Sequence, residues 1–106
     1  MYVLVVLKAG EQLEDQPLHA AEHERFIDSL IERNLVLLGG GFAQPIAGSV
    51  AAYLLRCESV EAAGTLVESD PYVAHRVLWP ELTEWELVGI NPEAIDPSFL
   101  VRPEDV

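Results

Sequence analysis

The chain is poor in cysteine, in positive charge and in long apolar runs, and each shortage removes a class of function. A single cysteine, Cys57, excludes an intrachain disulfide. Its neighbours Arg56, Glu58 and Ser59 include no histidine, so Cys57 reads as a small hydrophobe near a strand end and not as a nucleophile. Only 6 basic residues stand against 18 acidic ones, a net charge of −12. A chain this acidic repels phosphate backbones and offers no Lys/Arg cluster to an anionic lipid surface, which argues against both nucleic acid and membrane as partners. The N-terminal apolar run stops at Leu7, too short to span a bilayer and without the basic flank of a secretory signal. The expectation is a soluble, cytoplasmic protein.

What the chain has in quantity is apolar surface. Half of its residues are hydrophobic and its mean hydropathy is +0.20. That is high for 106 residues, a length that fits one domain with much surface for its volume. The surplus implies dense packing or a face buried against a second subunit.

Residues 2–7 form a valine-rich run, read as a strand covered on both faces. A polar loop follows. Asp15 and Pro17 then mark a helix start. Phe26, Ile27, Leu30 and Ile31 recur at spacings of three and four, with Glu22, Glu24, Arg25, Asp28 and Glu32 opposite. Asn34 closes that helix in a left-handed conformation. Residues 35–38 read as a second buried strand ended by Gly39, Gly40 and Gly41, and residues 43–48 as a hairpin connection. Residues 49–55 form a third strand. Ser59 caps a second helix with a Val60, Ala63, Val67 stripe. It must stop near Ser69, because Asp70 precedes a proline. One more helical turn fits within residues 72–78. A fourth strand falls within residues 79–90, with Leu82, Glu84, Glu86 and Val88 on its more exposed face. Residues 91–106, with Pro92, Pro97 and Pro103, read as a tail wrapped over a surface and anchored by Phe99 and Leu100.

The order β-α-β-β-α-β predicts an α+β, ferredoxin-like domain over residues 1–90. Its four-stranded antiparallel sheet carries two helices on one face. Because three strands are apolar on both faces, the uncovered face predicts a homodimer formed through the sheet.

Two places carry chemistry. His23 lies three residues before Phe26 and four before Ile27, so a titratable ring shares the buried stripe. It reads either as a packed, satisfied histidine or as a general acid/base. His19, Glu22 and His23 also spell H-x-x-E-H. A peptidase architecture does not fit in 106 residues. A plain metal site at His19 and His23 with a carboxylate or His75 stays open, and no metal or cofactor is expected. Asp70, Pro71 and Tyr72 form the other place. Asp70 reads either as a helix cap or as the carboxylate that orients an imidazole, with Tyr72 beside it.

These pieces, in order, resemble the YCII-related (YciI-like) family. The matching residues are the apolar first strand, His23-Glu24-Arg25-Phe26, Leu37-Leu38-Gly39-Gly40-Gly41, Ser59-Val60-Glu61-Ala62-Ala63, Ser69-Asp70-Pro71-Tyr72 and a tryptophan-bearing last strand. The resemblance implies a subunit of the dimeric α+β barrel superfamily with His23 and Asp70 as an active-site pair. Members of that group act on small cyclic or chlorinated organic acids by isomerisation or loss of HCl. The chain departs from the pattern where His19-Ala20 replaces an arginine and His75-Arg76 replaces a glycine. The expected function is a small cofactor-independent enzyme of the lyase or isomerase kind. His23 and Asp70 would be catalytic, with Tyr72, His19, Gly40 and Gly41 against a small-molecule substrate. The alternative is a non-catalytic ligand-binding or protein-interaction module with the same pocket.

Overall fold

The computed structural model describes residues 1–101. Four strands, β1 (Tyr2–Ala9), β2 (Val36–Ile46), β3 (Ser49–Arg56) and β4 (Leu78–Glu84), form one sheet in the order β2-β3-β1-β4. All pairings are antiparallel. The helices are α1 (Gln16–Glu32), α2 (Val60–Val67) and the single turn α3 (Pro71–Ala74). This is the expected α+β, ferredoxin-like arrangement.

Register decides which face each side chain takes. Val3, Val5 and Leu7 of β1 pair with Leu55, Tyr53 and Ala51 of β3, and these residues share the face that the helices cover. There they meet Leu30 of α1, Ala63 and Val67 of α2, Tyr72 of α3, and Val77 and Leu78. Each fully buried Val or Leu contributes roughly 1.5–3 kcal/mol. Asp70 is the one buried charged residue among the described residues, with no exposure at all. Asn34 has φ 59 and ends α1 in the expected left-handed conformation.

Four sequence expectations are corrected. The glycines do not end β2, which continues through them to Ile46. The connection is instead a tight turn at Ala47 and Gly48, both with positive φ, as a two-residue hairpin with right-handed twist requires. Nor is β2 a buried strand within one chain. It is the sheet edge, and every residue after Val36 is exposed, Leu37 least among its large apolar side chains at 37%. On β4 the faces are reversed. Leu82 pairs with Val5 and so joins the helix-covered side, while Glu86 and Val88 lie beyond the strand end at Glu84. Finally, Phe99 and Leu100 anchor nothing among the described residues, being 83% and 73% exposed. It is Trp85, Ile90 and Ile95 that lie over the open face. Together with Leu38 and Leu54 they line a groove of about 350 Å³. The expected tail includes residues 102–106, which lie outside the described residues.

Gly39 stands opposite Tyr53, and a Cβ built there would lie 2.6 Å from the Tyr53 Cβ, whereas at Gly40 it would meet nothing within 4 Å. Gly39→Ala is expected to cost about 1–3 kcal/mol by overpacking. Gly40→Ala should fall within about 0.5 kcal/mol of the parent in denaturant titration. Tyr53 yields a second prediction. Its hydroxyl is buried without a hydrogen-bond partner. Burial, and then the charge of Asp70, push its phenol well above the ordinary value. A group held protonated in the fold contributes stability that is whole below its unfolded pKa, about 10 for tyrosine, and is lost as pH climbs past it. Tyr53→Phe should therefore raise stability at neutral pH by about 1 kcal/mol. It should also flatten the decline in melting temperature above about pH 10.

Candidate functional site

The corner between α2 and α3 places Asp70. Proline at 71 disfavours the helical region for the residue before it, and Asp70 is extended, with φ −65 and ψ 123. From there its Oδ1 accepts the Tyr72 N–H at 2.9 Å and caps α3. Its main-chain carbonyl accepts the N–H groups of Val73 and Ala74. Helix capping is thus one role of this carboxylate, and it leaves capacity on Oδ1.

That capacity goes to α1. His23 Nδ1 lies 2.8 Å from the same Oδ1. A carboxylate only accepts, so Nδ1 carries the proton and donates. In the neutral ring the lone pair then sits on Nε2, which has no hydrogen-bond partner among the described residues. The His23 side chain is 20% exposed, while that of Asp70 is fully buried. The imidazole lies flat on Tyr72, with ring centroids 4.1 Å apart and planes 15° apart. Capping, ion pairing and ring stacking therefore converge on one point where α1 meets α3.

Asp70 Oδ2 is buried and has no partner among the described residues. The Tyr53 hydroxyl is in the same condition, and the Asp70 charge reaches it. The Tyr72 phenol is also pushed up, chiefly by burial, with the Gln16 side chain opposing and the charges of Asp70 and Glu24 adding. Both phenols are accordingly neutral hydroxyls at physiological pH. Sequence reasoning passed over Tyr53, taking it as one more apolar strand residue. Its signal was the register, since a tyrosine opposite a glycine on the helix-covered face has room to come close to the corner.

His19 does not pair with His23 to complete H-x-x-E-H. Its ring stacks on His75, with centroids 3.9 Å and planes 9° apart. Gly40 and Gly41 lie on β2 opposite Ala52 and Ala51, and neither is crowded. The pairing with Ala52 and through it Val6 puts Gly40 on the open face of the sheet, away from His23. The structure therefore brings together His23, Asp70 and Tyr72, places His19 a helical turn along, and leaves Gly40 outside the group. A separate cleft of about 370 Å³ is lined by Ala9, Gly10, Glu11, Val73, Arg76, Leu78 and Trp79. Neither it nor the open-face groove is lined by His23 or Asp70.

No protein-family model matches the chain, and no curated protein matches it. Among solved structures it is similar to 5-chloro-2-hydroxyhydroquinone dehydrochlorinase from Burkholderia phenoliruptrix in complex with 2,5-dihydroxybenzoquinone. The TM-score is 0.67 at 18% identity, over 81% of this chain and 94% of the dehydrochlorinase. At that identity the likeness establishes the shared α+β fold.

Proposed function

We propose that this chain is a small enzyme that moves a proton on a small organic acid without a cofactor, with His23 as the acid/base and Asp70 as the residue that orients it. The observation that carries the reading is the 2.8 Å bond from His23 Nδ1 to a fully buried carboxylate. It leaves Nε2 as the basic atom on the partly exposed side of the pair. A carboxylate behind an imidazole fixes its tautomer and stabilises the cation formed when the ring takes a proton. Tyr72 holds the ring plane from below.

The reaction class follows from what the site contains. Among His23, Asp70, Tyr72 and Tyr53 there is one base and there are neutral hydroxyl donors, with no activated nucleophile. That set suits removal of a proton next to a carbonyl or a leaving group. In loss of HCl, Nε2 takes the proton, the C–H electrons form the new double bond, and chloride leaves with the electrons of the C–Cl bond. In isomerisation the same proton returns at another carbon. The dehydrochlorinase with the same fold performs chemistry of the first kind on a chlorinated hydroquinone, which favours a compact oxygenated ring or acid as the substrate here. We also propose the homodimer. Leu38 and Trp79 remain 62% and 47% exposed on the open face of the sheet, which one chain covers only in part. A second reading, a non-catalytic interaction module, is favoured by the exposed apolar residues Val88, Phe99 and Leu100 beyond the sheet.

Chlorinated hydroquinones, chlorinated hydroxy acids and lactones are the substrates to screen, with chloride release and proton exchange as readouts. His23→Ala should lower kcat by about 100-fold or more. Asp70→Asn keeps an oxygen for the α3 cap, so it should fold like the parent yet lose at least about tenfold in kcat. Asp70→Ala should in addition lose about 1–2 kcal/mol of stability with the cap. Turnover that survives His23→Ala unchanged would remove the acid/base reading. Sedimentation at micromolar concentration that shows only monomer would remove the dimer.

A further inference from the structure

His19, Glu22 and His75 take no part in the proton chemistry proposed for His23, yet the fold gathers them. One ligand atom from each lies within 4.8 Å of the other two. We propose that these three side chains form a binding site for one divalent transition-metal ion of the zinc type, on the surface where α1 meets α3.

The donor set suits such an ion. Two imidazoles and a carboxylate favour zinc and its late first-row neighbours over magnesium or calcium, which prefer oxygen throughout. The scaffold orders the ligands in advance. His19 and Glu22 stand three apart on α1 and so share a face. His75 is the residue that ends α3, held there by its own N–H bond to the Pro71 carbonyl and by that of Arg76 to the Val73 carbonyl. The two rings already lie together, with centroids 3.9 Å apart, and the neutral imidazole is the form that binds a metal.

Zinc at its usual bond lengths puts tetrahedral ligand atoms about 3.3 Å apart. The cluster must therefore contract by at most about 1.5 Å, and the His75 ring must turn out of its stack so that both in-plane lone pairs reach one ion; Glu22 and His75 are exposed and free to turn. Arg76, the nearest cation along the chain, lines the separate cleft beside Gly10, and the net charge of −12 draws cations to the surface generally. Three protein ligands leave a fourth position for water or an oxygen of a bound molecule, one helical turn from His23.

The test is titration of Zn²⁺ into the metal-free 106-residue chain, read by calorimetry and by NMR of the ring signals of its three histidines. One ion per chain should bind, with the signals of His19 and His75 moving most. His19→Gln or His75→Gln should weaken binding by at least about tenfold, and His23→Gln should leave it within about twofold. Undiminished binding to the His19→Gln/His75→Gln double variant, a response centred on the His23 ring, or no binding at about 1 mM Zn²⁺ would each overturn the site. If the variants do not fold, the histidine signals of the parent chain decide alone. Because metal binding is the readout, failure here is distinguishable from failure of the acid/base reading, which turnover tests.

Discussion

A fully buried aspartate is expensive unless its charge is answered, and the way Asp70 is answered organises the helical side of this fold. One carboxylate oxygen serves two elements at once, closing the first turn of α3 through the Tyr72 N–H and holding α1 through His23. The charge also bears on Tyr53 of β3. Three elements that are distant in sequence therefore meet at one side chain. Its position depends on nothing more elaborate than an extended residue in front of a proline.

Around this centre the two helices interlock by spacing. His19 and His23 stand four apart on α1, and Tyr72 and His75 stand three apart on α3, so one pair of rings on each helix faces the other. α3 has four residues and could not persist alone. It is fastened by its cap, by the two ring stacks, and by the exit of the chain, where Val77 donates to the Tyr72 carbonyl and accepts from Gly10 next to β1. The rigidity that a positioned base needs is thus local, built from short-range geometry, while the base itself keeps one nitrogen free.

The fold was legible where a pattern had one solution. Valine-rich strands, the Phe26–Leu30 stripe and the Ser59 cap each left little choice, and the order of elements then fixed the architecture. The proximity of His23 to Asp70 was legible only with the family resemblance, since a contact across 47 residues leaves no mark in local spacing. Three things were hidden. Glycine carries no side chain, so the triplet at 39–41 read as a terminator although the backbone simply continues as strand. The facing of β4 turned on register with β1, which two charges on one side obscured. His75 declared its neighbour only in space, because the turn that presents it is too short to show a periodicity.

The continuation of β2 through its glycines has a consequence for how the molecule meets its surroundings. The strand is the outermost of the sheet, and its outer rim presents main-chain donors and acceptors that no strand among the described residues occupies. Over Gly39, Gly40 and Gly41 that rim is bare of side chains, so neither bulk nor charge stands guard there. Further along, Pro45 removes a donor, a device that discourages another strand from adding. The sheet is consequently closed to extension at its far end and open in the middle. In so acidic a chain, long-range repulsion between copies takes over the guarding that side chains perform on most edges.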